Sequence, residues 1–208
     1  LRVSFVAVGH GLSVIAEFPD GRTLLYDAGR MGNARAAALP ISSVLWSRRI
    51  RHLDAIVLSH ADADHFNAVA ELLNRFTVGV VYMPRSLDSE PTPTLAKLQS
   101  ATEAAGVPIG WVSQAMQFEA GDGVQVEVLH PPAQLSEAWS AGGDNAASTV
   151  LLISKGPYRL LLTGDLEGWG LEKLISERAV TCDVLLAPHH GSRQSNPADL
   201  LQWTQPTF

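Results

Sequence analysis

Apolar positions along the chain fall in short runs, each closed by Gly, Pro or a charged residue. "VSFVAV" (3–8), "SVIAEF" (13–18) and "TLLYDAG" (23–29) read as strands, with "PDG" at 19–21 a hairpin tip between the last two. "AIVLS" (55–59) is a short buried strand. "HFNAVAELLNRF" (65–76) switches to helical spacing, and "GVVYMP" (79–84) switches back to a strand. "TPTLAKLQSATEAAG" (92–106) predicts a helix with Pro near its start and Gly after its end. A second series follows: strands at 109–112, 124–129, 148–154 and 158–163, a helix at 168–178, the strand "CDVLLAP" (182–188) and a helix at 197–203. No repeat or low-complexity linker interrupts it. Both halves run strands first and then strand–helix alternation, which suggests an α/β protein of two sheets packed face to face with helices outside.

Composition narrows the class. The 208 residues are 46% apolar, enough for a sizeable core, and are read as a single domain spanning 1–208. The formal charge of −6 argues against nucleic-acid binding through a broad basic face. One cysteine, Cys182, excludes an intrachain disulfide and a thiolate cage for zinc. No apolar run approaches the ~20 residues needed to span a bilayer. The chain begins on Leu1 inside a strand-like run, so it is expected to be a piece of a longer protein.

The chemistry sits where apolar runs end. "SHADADHF" (59–66) follows a buried strand and carries His60, Asp62, Asp64 and His65, four metal-ligand types in six positions. Alternate residues of an extended loop point the same way, so His60 and Asp62 can serve one ion while Asp64 and His65 serve a neighbour. A helix cap by Asp64 would use one of the four and leave three unexplained. "LLLTGDLE" (160–167) ends on Asp165, "LLAPHHGSRQSN" (185–196) on His189 and His190, and "YDAG" on Asp27. Four strand ends bearing Asp or His make a constellation. His52 and His130 are read as structural or surface residues, and Asn196 as the cap of the last helix.

Taken in order, "DAG", "SHADADH", "TGDLE" and "PHHGS" resemble the metallo-β-lactamase superfamily. More narrowly, they resemble the C-terminal domain of ComEC-type competence proteins, inner-membrane channels that take up DNA. That subfamily has H-x-D-x-D-H where most of the superfamily has H-x-H-x-D-H. "DNAAS" (144–148) and "AVGHGLS" (7–13) match two further signatures of the subfamily. The sequence departs from them at Ala7 and Leu12, where the subfamily carries Asp, and at His10, where it carries Gln. The resemblance implies an α/β αββα four-layer sandwich of metallo-β-lactamase type, with the site along one edge of the sheets.

On this reading His60, Asp62 and the bridging Asp165 hold one divalent ion, and Asp64, His65, Asp165 and His189 the other. Asp144 can complete the first shell or serve only a turn, and His190 is either the ligand in place of His189 or a proton donor. Asp27 orients a ligand. His10, Asn145, Ser192 and Arg193 are candidates for supporting or substrate-binding roles. Carboxylate-rich ligands without sulfur put Mn²⁺ first, with Mg²⁺ and Zn²⁺ as alternatives. The resemblance implies a metal-dependent phosphodiesterase, a deoxyribonuclease that degrades the strand not imported, in an extracytoplasmic domain attached to a membrane channel. The alternatives are a non-catalytic module that guides DNA and a metallo-hydrolase acting on a small ester. Few basic residues and no obvious basic run predict weak, non-specific binding of single-stranded or duplex DNA, through the metals, Arg193, Arg30 and Arg85.

Overall fold

The computed structural model describes residues 1–84, 93–134 and 143–208; Arg85 lies outside them. Backbone contacts divide the chain into two compact units. The first holds Leu1–Met83 and the described part of Leu87–Trp111; the second holds Val112–Phe208 with Pro84.

The first unit is built on a six-stranded sheet in the order β1 (Arg2–Phe5), β2 (Val14–Glu17), β3 (Thr23–Tyr26), β4 (His52–Val57), β5 (Thr77–Pro84) and β6 (Ile109–Val112). β1, β2 and β3 form an antiparallel meander. Its β2–β3 turn closes where "PDG" predicts, with the Gly21 amide donating to Phe18. β3, β4 and β5 are parallel, so helices must return the chain between them. α1 (Ala34–Ser47) makes the first crossover. The sequence reading did not include this helix. Asn33 caps it by accepting from the Arg35 amide, and Ala37, Ala38, Ile41 and Leu45 bury one face against the sheet. Pro40 inside it masks the helical pattern, because proline removes one ladder hydrogen bond.

The expected helix over 65–76 is two short ones, α2 (Ala63–Phe66) and α3 (Val69–Leu73). The break lies at Asn67 and Ala68. The Asn67 side chain donates to the Arg30 carbonyl at 2.7 Å, and the Ala68 amide donates to Ala28 at 2.9 Å. These bonds tie the segment to the loop after β3. α4 (Pro93–Ala104) packs beside α3. Leu53, Ile56, Leu72, Leu95 and Leu98 belong to the core between sheet and helices.

The second unit is a five-stranded sheet in the order β11 (Val184–Leu185), β10 (Tyr158–Leu162), β9 (Val150–Lys155), β8 (Val124–His130) and β7 (Gln117–Glu119). All pairs are antiparallel except β10 with β11. α5 (Gly168–Ile175) and α6 (Ala198–Thr204) cover part of it through Leu171, Leu174, Leu200 and Trp203. The predicted strand over 182–188 shrinks to two paired residues. Before it the Cys182 amide donates to Thr204 and not to β10, and after it Leu186 still donates to Leu161 of β10. Asn196 does not cap α6. Its amide donates to the Pro188 and Ser192 carbonyls at 2.9 and 2.8 Å, and so clasps the His189–Gly191 turn.

Candidate metal centre

In the first unit the ligand-type side chains converge on one buried carboxylate. Asp27, at the end of β3, has φ 55°, a left-handed conformation that costs a non-glycine residue energy and is retained where the surroundings enforce it. Its carboxylate accepts from the Ser59 amide at 2.7 Å, the Ser59 hydroxyl at 2.6 Å and His65 Nδ1 at 2.8 Å. Ser59 Oγ also lies 2.8 Å from His60 Nδ1. The carboxylate is the stronger acceptor for the hydroxyl proton, so His60 Nδ1–H donates to Ser59 Oγ. The same logic puts the His65 proton on Nδ1, facing Asp27. Both imidazoles are therefore held with the Nε2 lone pair outward, the arrangement that prepares histidine for a metal. Asp27, Ser59, His60 and His65 are all 0% exposed.

The two rings sit with centroids 4.1 Å apart. His60 Nε2 is buried and, among the described residues, has no hydrogen-bond partner. Its nearest carboxylate oxygen is Asp62 Oδ2 at 3.5 Å, beyond a good hydrogen bond and suited to two ligands flanking one cation. Asp64 Oδ2 stands 4.0 Å from His65 Nε2. Asp62 occupies the N-cap position of α2 but makes no capping hydrogen bond, and neither does Asp64 cap the helix. His10, exposed on the opening loop, brings a ring nitrogen within 4.8 Å of an Asp64 carboxylate oxygen. The donor set thus fits a divalent ion.

Backbone contacts fix this loop. The Ala28 amide donates to His65 at 2.7 Å and the Leu12 amide to Asp64 at 3.3 Å. Gly29 lies so close that a Cβ there would sit 2.4 Å from the Asp64 carbonyl carbon. "DAG" and "GHGLS" therefore work as the bed of the ligand loop. Arg30 folds over Gly9 on the same bed, its guanidinium carbon 3.4 Å from where a Gly9 Cβ would be.

In the second unit Asp165, at the turn after β10, is 4% exposed. His189 and His190 both have positive φ, at 49° and 52°, which turns their rings toward it. His190 Nε2 lies 3.3 Å and His189 Nε2 3.8 Å from Asp165 Oδ2. His189 Nδ1 bonds Glu167 Oε2 at 2.8 Å, and Glu167 Oε1 accepts from Asn145 Nδ2 at 3.0 Å. His189 thus has a carboxylate behind its ring, whereas His190 Nε2 is the nearer of the two to Asp165. Ser192 serves the turn, its amide donating to His189 at 2.8 Å, and Arg193 is exposed. Asp144 is exposed before the Asn145–Ala147 turn, where its carbonyl accepts from Ala147 and its side chain makes no cap.

His130 is buried, and its Nδ1 bonds the Ser148 carbonyl at 3.0 Å. Burial above all pushes its pKa down to about 4, against a smaller upward pull from that bond and from Glu177. Burial likewise raises the Cys182 thiol to about 11, so Cys182 is no nucleophile. Sequence reasoning missed two participants, Ser59 and Glu167. Each flanks a ligand motif, but a serine or glutamate beside a turn has many ordinary uses and so gives little signal by itself.

The sequence model of the metallo-β-lactamase superfamily matches residues 6–202, and the chain belongs to that superfamily. Its fold agrees: a Cronobacter sakazakii metallo-β-lactamase with a HARLDQ motif aligns at TM-score 0.62 and 17% identity, over 97% of this chain and 86% of that one. Within the superfamily the chain is similar to ComEC-type competence proteins. It is 30% identical to ComE operon protein 3 of Bacillus subtilis (strain 168) over 219 residues, and 32% identical to competence protein ComA of Neisseria gonorrhoeae over 205. These alignments take in 99% and 96% of this chain but 27% and 25% of the relatives, so the chain spans about a quarter of their length. Among the described residues, no helix is long and apolar enough to cross a membrane.

Proposed function

We propose that the chain is a metal-dependent phosphodiesterase, a deoxyribonuclease domain of a DNA-uptake protein. The observation that carries the metal is His60 Nε2, a buried nitrogen with no hydrogen-bond partner among the described residues, its ring locked from behind through Ser59 and Asp27. Satisfying it needs a proton donor or a cation, and the residue facing it is a carboxylate. The competence relatives supply the biological setting.

On this reading His60, Asp62, Asp64, His65, Asp165 and His189 are the residues that would hold two divalent ions, Mn²⁺ first. Such ions supply acidity to a bound water and positive charge for a phosphate. Asp64 takes the proton of the attacking water, and His190 Nε2–H protonates the leaving oxygen. Ser59, Asp27 and Glu167 keep the three ligand histidines in one tautomer. Asp144 closes the first ligand set directly or through water, and Arg193 and Ser192 grip phosphate. The parent protein's remaining segments deliver the DNA outside the cytoplasm, and tethering replaces intrinsic affinity.

The test is cleavage of labelled single- and double-stranded DNA by metal-stripped protein with Mn²⁺, Mg²⁺ or Zn²⁺ restored, alongside Asp64→Ala. Metal-dependent cleavage lost in the variant supports the proposal. Metal binding without cleavage of either substrate defeats the nuclease reading and leaves a DNA-guiding module.

A further inference from the structure

The first unit carries a second polar feature at the far end of β4. "WSRRIRH" (46–52) closes α1 and enters β4. Three adjoining clefts of about 350, 420 and 430 Å³ meet there, all bordered by Arg51. Most cations in the neighbourhood are spoken for. Arg48 pairs with Glu17, Arg22 with Asp20, and Arg75 with Glu71. Asp54 is held by the Thr23 amide at 2.7 Å and lies 3.7 Å from His52 Nε2. Arg49 and Arg51 are exposed and, among the described residues, make no ion pair. Beside them Trp46 is 50% exposed, with its ring backed by Phe76 at 5.7 Å and 29°.

A helix C-terminus favours one nearby cation, and Arg48 at the C-cap already meets that need. It does not explain Arg51, which lies beyond the helix, or a large aromatic left half in water. Unpaired guanidinium groups flanking a rigidly backed indole match a flexible polyanion that carries flat rings. Arginine meets phosphate, and the aromatic face meets a base. A membrane surface fits less well. It would need several apolar prongs, whereas Trp46 is, among the described residues, the one large apolar side chain lining these clefts that is more than a third exposed.

We propose that Trp46, Arg49 and Arg51 form a binding site for single-stranded nucleic acid, separate from the ligand loop. His60 lies eight positions after His52, roughly 25 Å along an extended chain. A strand held at this site leaves the loop free. The sequence shows no obvious basic run; the fold leaves Arg49 and Arg51 of "RRIR" (48–51) without an ion pair among the described residues and sets an aromatic platform beside them.

The site is tested without metal and by binding alone, so its failure is distinct from failure of the nuclease reading. Fluorescence anisotropy of a labelled 20-mer oligothymidylate is measured in EDTA across a salt series. Each phosphate contact on a single strand contributes about 0.7 to the log–log salt slope. Arg49→Gln with Arg51→Gln should flatten the slope by about 1.4, and Trp46→Ala should weaken binding about tenfold with the slope retained. Circular dichroism and urea midpoints establish that each variant is folded, and the exposed arginine pair guards against a Trp46→Ala protein that is not. Vesicles of phosphatidylglycerol form the second arm. Absence of oligonucleotide binding, wild-type binding by the folded arginine variant, or arginine-dependent binding to vesicles in place of the oligonucleotide would each overturn the proposal.

Discussion

Lowering the pH from 7.5 to 5 should destabilise this protein through His130, which lies outside the ligand clusters. The ring is 1% exposed, sits 5.7 Å from Trp169, and hydrogen-bonds the Ser148 carbonyl through Nδ1. Its Nε2 is buried with no hydrogen-bond partner among the described residues. Burial keeps water from a charged ring, and this desolvation lowers the pKa from 6.5 to about 4; protonation would also leave a buried N–H with no acceptor among the described residues. A histidine depressed in the folded state stabilises above its unfolded pKa, and that stability is lost as pH falls from 6.5 toward 4. At pH 5 the unfolded chain holds nearly a full proton at this site and the folded chain about a tenth of one. Integration gives about 2 kcal/mol lost between pH 7.5 and 5, rising to about 3 below pH 4. His130→Asn keeps a donor for Ser148 and removes the titration. Urea unfolding of metal-stripped protein, followed by tryptophan fluorescence at both pH values, compares the two. The variant should be somewhat weaker at pH 7.5 because its side chain is smaller, yet lose about 2 kcal/mol less on acidification. An equal loss in both proteins would refute the assignment, since the other titrating groups are common to them.

The metal site yields further expectations. Saturating Mn²⁺ should place an ion beside Asp165 in an anomalous-scattering map, and a crystal soaked to saturation without that peak would count against the centre. Asp64→Ala should fold normally and lose at least about 10²–10³ in cleavage rate, by analogy with loss of a single electrostatic contact; retained activity would point to a contaminant or another site. Asp27→Asn should weaken metal binding about 10–100-fold by calorimetry, because His65 loses the carboxylate that sets its tautomer; unchanged affinity would mean the hub has no part in preparing the ligands. Gly29→Ala should lower stability by about 1–3 kcal/mol, because its Cβ would meet the Asp64 backbone at 2.4 Å. The same shift should reduce metal affinity, and an unaltered protein would show the bed to be more compliant than its geometry implies.

The places where chemistry sits were legible in the sequence because strands announce themselves by runs of apolar residues, and polar groups at their ends stand out. "LDAIVLSH", "LLLTGD" and "LLAPHH" each carry that contrast, and with "DAG" ahead of them the motifs at their ends carried the resemblance to the family. Helix boundaries were less legible. α1 was hidden by Pro40, and the 65–76 pattern broke because Asn67 and Ala68 bond to residues nearly forty positions away. Local periodicity contains no record of such partners.

The identity of the ligand-type residues thus belonged to the sequence, and their preparation to the tertiary structure. Only folding brings Asp27 to Ser59 and His65, Glu167 between His189 and Asn145, and Asn196 back onto its own turn. Each is a hydrogen bond whose direction fixes a tautomer or a loop, and whose partners are adjacent only after the strands have paired. The same holds for Arg49 and Arg51. Their charge was written in the chain, but that Arg48 and not they would meet Glu17 was decided by the first sheet, which sets β2 beside the end of α1.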